Sequence, residues 1–393
     1  MHDTAEYALF SRAEMDRRYN RTRELMAKRG IDTLLITGEE NFHYFSGTSA
    51  SIGLHASLTR PSVFILPLER DPIILTQGRD YIILSAYVSD IRSYDDVLSF
   101  PPGVVLEALK DLPFKHNRIG AELGQEQRMG IPVGAYLGIT ESLKKTEFVD
   151  AADIIIKMRM VKSNEELVYI RKAAEITGRA RQRLFREHVT PGMTEHDVAR
   201  TLKRLILEEG GDGTSFIHLQ LDLPGCKNQF HYDRPLKPGS VLAVDAGAYA
   251  RMYTIDYPRM ATLGKATELQ KKVHRIVREV TRKMADALKP GLKCSELHRV
   301  AVEAIEASGA SADRPEKLRG GSRFGHGQGM QLTEPPSVNP KDHTELEVGT
   351  VLSTEPGVRI GDVHFLWEDV HVITESGHEQ LTLESPDLVE IPW

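Results

Sequence analysis

The sequence predicts an α/β protein of two domains, and three observations carry that expectation. The chain has 393 residues, past the roughly 250–300 at which single cores stop growing. Its first half alternates short helical and strand-like patterns. Its second half contains a duplicated pattern, the mark of two similar halves.

The elements follow in order. SRAE at 11–14 places Ser11 as a helix cap with Glu14 able to reach back. Met15, Tyr19, Thr22, Leu25 and Met26 recur at helical spacing until Gly30 stops the run. IDTLLIT (31–37) then predicts a buried strand, and SVFILP (62–67) with PIILT (72–76) flanks the charged turn LERD as a hairpin. VVLEALKDL (104–112) and RIGAE (118–122) repeat the helix-to-strand order, so the first α/β domain is expected to end near 155. SNEE (163–166) is a second capping box. It opens a long helix that turns Leu167, Ile170, Ala173 and Ala174 inward, with the domain join expected in KMRMVKS (157–163).

The duplication is readable residue by residue. PGMTEHDVARTLKRLILEEG (191–210) is echoed by PGLKCSELHRVAVEAIEASG (290–309), each a Pro-Gly turn, a helix and a closing Gly. LKPGSVLAVDAG (236–247) is echoed by LEVGTVLSTEPG (346–357), which sets Asp245 and Glu355 at the same place in two strands. Two α/β halves facing each other are the expected result.

Composition narrows the function. A formal net charge of -6 with scattered basic residues argues against nucleic-acid binding, which needs a concentrated basic surface. RQRLFR (181–186) reads as a solvated helix face. Cys226 and Cys294 have no CxxC neighbour and make no disulfide framework. The start of the chain lacks a cationic segment followed by an apolar run, and no 18-residue apolar stretch occurs. The expectation is a reducing, cytoplasmic setting without a membrane.

The duplication puts one carboxylate from each half near a pseudo-twofold axis, and a further acid follows each. Asp256 comes after AGAYARMYTID and Glu368 after PGVRIGDVHFLWE. Both intervals suit a strand, a turn and a returning strand. Four converging carboxylates would repel one another and raise their pKa values. Divalent cations relieve that repulsion. His326, in FGHGQG, offers one imidazole nitrogen, and its glycine neighbours let the backbone come close.

On these residues the chain resembles the pita-bread metallopeptidase family, which includes aminopeptidase P, prolidase, methionine aminopeptidase and the non-peptidase creatinase. Residues 1–155, with ENFHYFSG (40–47), resemble its creatinase-like N-terminal domain, and 160–393 its catalytic domain. The resemblance implies five metal ligands: Asp245 in VDAG, Asp256 in TIDYPR, His326 in FGHGQG, Glu355 in STEPG and Glu368 in LWEDV. It also implies two divalent ions (manganese preferred, with Co, Zn or Fe also suited), bridged by Asp245 and Glu368. Glu355 is implied as the group that shuttles a proton, and His231 in NQFHYDRP as a catalytic group at the tetrahedral centre. A homodimer acting on small substrates completes the picture.

Three positions depart from the peptidase pattern. Thr333 stands where the family has a second histidine, Ser322 where proline-specific members have another, and Leu366 where an arginine is common. A threonine hydroxyl can donate a hydrogen bond but cannot take and return a proton near neutral pH. Arg323, Arg359 and His364 are candidate replacements, and Thr333, Arg359 and His364 are expected at the substrate. The resemblance therefore implies a metal-dependent Xaa-Pro aminopeptidase or dipeptidase. The departures keep open a non-peptidase that hydrolyses a small C–N compound, like creatinase or ectoine hydrolase, or an osmolyte lyase.

Overall fold

Ser11 caps the first helix, Arg12–Arg29, by accepting from the Glu14 N–H at 3.1 Å. The structure is a computed structural model that describes residues 8–48, 60–110, 112–221, 233–382 and 388–393. The reach of Glu14 back to the cap does not form. Its carboxylate goes to Arg17 and Arg18, at 2.7 Å each. Arg18 is fully buried, and a buried guanidinium needs a carboxylate more than an exposed cap N–H does. Met15, Tyr19, Thr22 and Met26 are buried as the spacing predicts.

The chain divides into two compact units, 1–159 and 160–393. In the first, β1 (Thr33–Ile36), β2 (Val63–Pro67), β3 (Ile73–Thr76), β4 (Asp90–Ser93), β5 (Arg118–Ala121) and β6 (Glu147–Asp150) form one mixed sheet. Its order is β4-β3-β2-β1-β5-β6. The expected hairpin is β2 antiparallel to β3, while β1 is antiparallel to β2 and parallel to β5. Buried Glu122, just past β5, accepts from the N–H groups of Thr37 and Gly38 and from the Asn41 amide. It thereby fixes the start of the helix Glu39–Ser46.

In the second unit Ser163 and Glu166 complete a reciprocal capping box at the start of Asn164–Arg183. Leu167, Ile170, Ala173 and Ala174 are buried along that helix. RQRLFR is not a solvated face. Arg181 is buried, lies 4.2 Å over the Tyr257 ring and donates to the Tyr257 carbonyl at 2.5 Å. Its burial pulls its pKa down to about 10. The helix ends in a π-turn, Leu184–His188, that buries Leu184 and Phe185, so only Arg186 of this run is exposed.

The remaining strands are β7 (Gly213–Leu221), β8 (Val241–Ala250), β9 (Tyr253–Thr254), β10 (Arg259–Leu263), β11 (Ser311–Ala312), β12 (His326–Gly327) and β13 (Glu334–Ser337). They continue with β14 (Val351–Thr354), β15 (Gly357–Ile360), β16 (Val363–Leu366), β17 (Asp369–Thr374), β18 (Gly377–Gln380) and β19 (Val389–Ile391). Two sheets carry the duplication: β19-β10-β8-β7, with β9 beside β8, and β13-β12-β14-β17-β18. A third is β11-β15-β16.

The halves repeat their backbone bonds. Thr194 bridges Pro235, and Lys293 bridges Glu345. The Leu236 N–H bonds the Met193 carbonyl and the Leu346 N–H the Leu292 carbonyl, both at 2.9 Å. Gly239 and Gly349 take left-handed φ of 83° and 90° and donate to Leu263 and Ile373. Arg259 of β10 sits opposite Val244, and Asp369 of β17 opposite Thr354. Each half has its own core, one around Val198, Leu202 and Leu242, the other around Val273, Leu297 and Phe365. Cys294 is a buried free thiol, and Cys226 lies outside the described residues.

Candidate metal centre

Strand alternation points successive side chains to opposite faces, so a narrow β12 can aim one residue inward only if its neighbours are small. Gly325 and Gly327 meet this need. A Cβ on Gly325 would lie 2.0 Å from the Ser353 carbonyl, and one on Gly327 2.3 Å from the Pro335 carbonyl. The glycines thus let β12 slot between β13 and β14, and His326 is presented from that slot.

Buried His326 donates its backbone N–H to the Ser353 hydroxyl at 3.0 Å. Its Nδ1 lies 3.0 Å from the Gly327 carbonyl. A carbonyl only accepts, so Nδ1 carries the proton and Nε2 keeps its lone pair. Nε2 stands 3.9 Å from Asp256 Oδ1 and 4.0 Å from Glu368 Oε1. Burial, aided by the charge of Arg323, lowers the His326 pKa to about 4, while Glu355 and Asp245 act in the opposite sense. The imidazole is therefore neutral, the form that binds a metal.

Ligand atoms of Asp256, His326 and Glu368 lie within 4.8 Å of one another, all three residues buried. Glu368 Oε2 is buried with no hydrogen-bond partner among the described residues. Burial and then Asp256, Glu355 and Asp245 raise the Glu368 pKa well above the usual carboxylate range. The charges of Asp245, on β8, and Glu355, one residue past β14, thus reach Glu368, while the close cluster of ligand atoms among the described residues is that of Asp256, His326 and Glu368. Buried anions without a counter-charge are expensive. Two acids and a neutral imidazole converging on one point, with an open carboxylate oxygen, fit a divalent cation.

Gln328, which the sequence did not single out, links two of these residues. Its Oε1 accepts from the Asp256 N–H at 3.0 Å, and its Nε2 donates to the Asp256 carbonyl at 3.0 Å and to Glu368 Oε1 at 3.1 Å. The signal was the i, i+2 spacing from His326 in FGHGQG, which puts both on one face. His218 stands opposite Asp245 in register on the neighbouring strand, a cross-strand relation that sequence spacing does not state.

The other expected residues fall in different places. His231 lies outside the described residues. The Thr333 hydroxyl accepts from Arg323 Nη2 at 3.0 Å. Arg359 directs Nε and Nη2 to the Gly361 carbonyl of its own hairpin, at 3.1 and 2.8 Å. Buried His364 pairs its Nε2 with the Gln220 amide at 2.5 Å. Leu366 is buried in the core, and Ser322 lines a pocket with Arg323 and Glu355.

A duplicated α/β unit that converges buried acids and a neutral imidazole defines a metallohydrolase. The description of metallopeptidase family M24 matches residues 168–375, and that of the creatinase/prolidase N-terminal domain matches 18–161. The chain belongs to metallopeptidase family M24. A Pyrococcus horikoshii protein named Xaa-Pro dipeptidase is 28% identical over 386 residues, covering 95% of this chain and 99% of the relative. The solved prolidase of P. horikoshii superposes with a TM-score of 0.79 at 25% identity, covering 95% of this chain and 100% of that one. An X-Pro aminopeptidase from Thermotoga maritima gives 0.78 at 26% identity, covering 94% and 100%. Among the described residues no helix is long and apolar enough to cross a membrane.

Proposed function

We propose that the chain is a metal-dependent Xaa-Pro dipeptidase whose catalytic unit is 160–393, with a creatinase-like domain over 1–155. The observation that carries the reading is the buried convergence of Asp256, neutral His326 and Glu368. Asp245 and Glu355 would complete with them the set of residues that holds two divalent ions. The chemistry supplied there is Lewis acidity, which lowers the pKa of water and polarises a carbonyl. Four carboxylates with one imidazole favour manganese over softer-ligand metals.

The chain's own residues do the rest. His326 stays neutral because Nδ1–H is committed to the Gly327 carbonyl. Gln328 holds the Asp256 backbone and the Glu368 carboxylate in one register. Glu355 is half-buried, with its N–H fixed to the Phe324 carbonyl at 2.7 Å. That placement suits a carboxylate that receives a proton and returns it to the leaving nitrogen. His231 is assigned to the developing oxyanion on the strength of the resemblance. His364 and Thr333 belong to the substrate wall in this reading, and Arg359 joins it only by giving up Gly361.

The names of the relatives support the peptide reading over a small C–N compound or a lyase. The resemblance supports a homodimer, the cysteine usage a cytoplasmic setting, and the net charge of -6 the exclusion of nucleic acid. Manganese-loaded protein assayed on a panel of Xaa-Pro dipeptides is expected to release free proline. Full metal occupancy with no proline released, from that panel or from longer Xaa-Pro peptides, would overturn the reading.

A further inference from the structure

Beside Glu355 lies a pocket of ≈ 410 Å³ lined by Arg314, Lys317, Ser322, Arg323, Asn339 and Glu355. Three cations face it, but two share one acid. Lys317 Nζ is 3.5 Å from Asp313 Oδ1 and bonds the Glu355 carbonyl at 3.3 Å, while Arg314 Nε is 4.0 Å from Asp313 Oδ2. Arg323 makes no ion pair among the described residues. Its hydrogen bond there is the one from Nη2 to the Thr333 hydroxyl at 3.0 Å. With Glu355 committed to the metal centre, the pocket carries a surplus positive charge.

The backbone around Arg323 is fixed on both sides. The Asn339 amide holds the carbonyls of Gly320 and Ser322 at 3.1 and 3.0 Å. Phe324 donates to Val338 at 3.0 Å and accepts from the Glu355 N–H. One hydrogen bond therefore ties the residue after Arg323 to the proposed proton-carrying acid. A guanidinium presents a planar fork that matches a carboxylate with two parallel hydrogen bonds. Thr333 steadies one nitrogen of that fork and leaves the others without an acceptor among the described residues.

We propose that Arg323, oriented by Thr333, is the anchor for the free C-terminal carboxylate of the substrate. The inference rests on the dipeptidase reading and gives it a specificity residue. It also assigns Thr333 a positioning task for which a titrating side chain is not needed.

The test compares Ala-Pro with its C-terminal amide on manganese-loaded full chain. Wild type should favour the acid through KM. Arg323→Ala should raise KM for Ala-Pro by about 10- to 100-fold, with kcat and the amide's KM little changed. Arg323→Lys should recover part of that loss, because an ammonium lacks the fork. Thr333→Val should raise KM less than Arg323→Ala, and Thr333→Ser should restore it. Metal stoichiometry and melting temperature equal to wild type show that each variant is folded and loaded. Equal effects on acid and amide, or a loss confined to kcat, would overturn the anchor. If wild type turns over neither compound, the dipeptidase reading fails on its own. The anchor is then judged by calorimetry with N-acetylproline and N-acetylproline amide. Binding of the acid alone, abolished in Arg323→Ala, supports it, and any other pattern overturns it.

Discussion

The two halves of 160–393 agree in their backbone and diverge in their side chains. Equivalent turns, bridges and registers recur down to single hydrogen bonds, as Leu236 to Met193 and Leu346 to Leu292 show. The chemistry is unequal. The first half brings Asp245 and Asp256, and the second brings His326, Gln328, Glu355, Glu368 and the Arg323 pocket. Equivalent positions even hold opposite charges. Arg259 and Asp369 occupy the same register site in their halves and pair with each other at 2.6 Å. Like residues there would repel across the axis. Duplication supplies two strands aimed at one point, and divergence makes that point a site.

The largest way to break the comparison is to remove what only the second half supplies. His326→Ala should cut turnover by about 10³-fold or more, since the Lewis acid it is proposed to help hold would be worth several kcal/mol. Metal analysis should show reduced occupancy with secondary structure unchanged by circular dichroism. Next is the pair that joins the halves. Asp369→Asn leaves Arg259 buried without its anion, while Arg259 remains stacked 3.9 Å over Trp367. Loss of one partner from a buried pair costs about 3 kcal/mol or more, read as a lower urea midpoint at unchanged slope. Because Arg259 also bonds the Glu368 carbonyl, metal affinity should fall with it.

A subtler asymmetry is His371, whose counterpart in the first half is Ala261. Its Nε2 lies 3.3 Å from the Thr354 hydroxyl, and burial lowers its pKa to about 4. Between that value and the ordinary 6.5 the unfolded chain binds the proton and the folded one does not. Stability contributed by neutral His371 is thus complete above pH 6.5 and lost as pH falls toward 4. The loss is on the order of 3 kcal/mol. His371→Ala, which copies the first half, should show a shallower fall in urea stability from pH 7.5 to 4.5 than wild type. Parallel profiles would refute it.

Backbone order was legible because it is local. Capping at Ser163, the stop at Gly30, the succession of helix and strand segments and the paired Pro-Gly turns each depend on a few neighbouring residues. The acids and His326 could be nominated from the sequence because the duplication and the resemblance fix them by spacing, and three of them, Asp256, His326 and Glu368, converge. What escaped was settled by distant partners. Arg181 looks like part of a solvated run until Tyr257, far along the chain, supplies its ring and its carbonyl. Glu14 looks like a cap partner until Arg18 is buried beside it. The partnership of Thr333 with Arg323 depends on how the chain folds back between them, which spacing alone does not state.

Gln328 gives the smallest and sharpest comparison. Its amide accepts from one Asp256 backbone group while donating to another and to Glu368. A carboxamide offers two donors and an acceptor on one planar group. Gln328→Ala should therefore leave all five expected ligands in place and weaken metal binding by about 10- to 100-fold, as loss of an outer partner does. Gln328→Glu keeps the shape but cannot donate to Glu368 when ionised, and it adds a fifth carboxylate to the cluster. It should bind manganese more weakly than the alanine variant if orientation by donation is its task. Added negative charge would tighten manganese binding if charge alone governed the site. Titration of the two variants with manganese separates these outcomes, and tighter binding by Gln328→Glu would refute the positioning role.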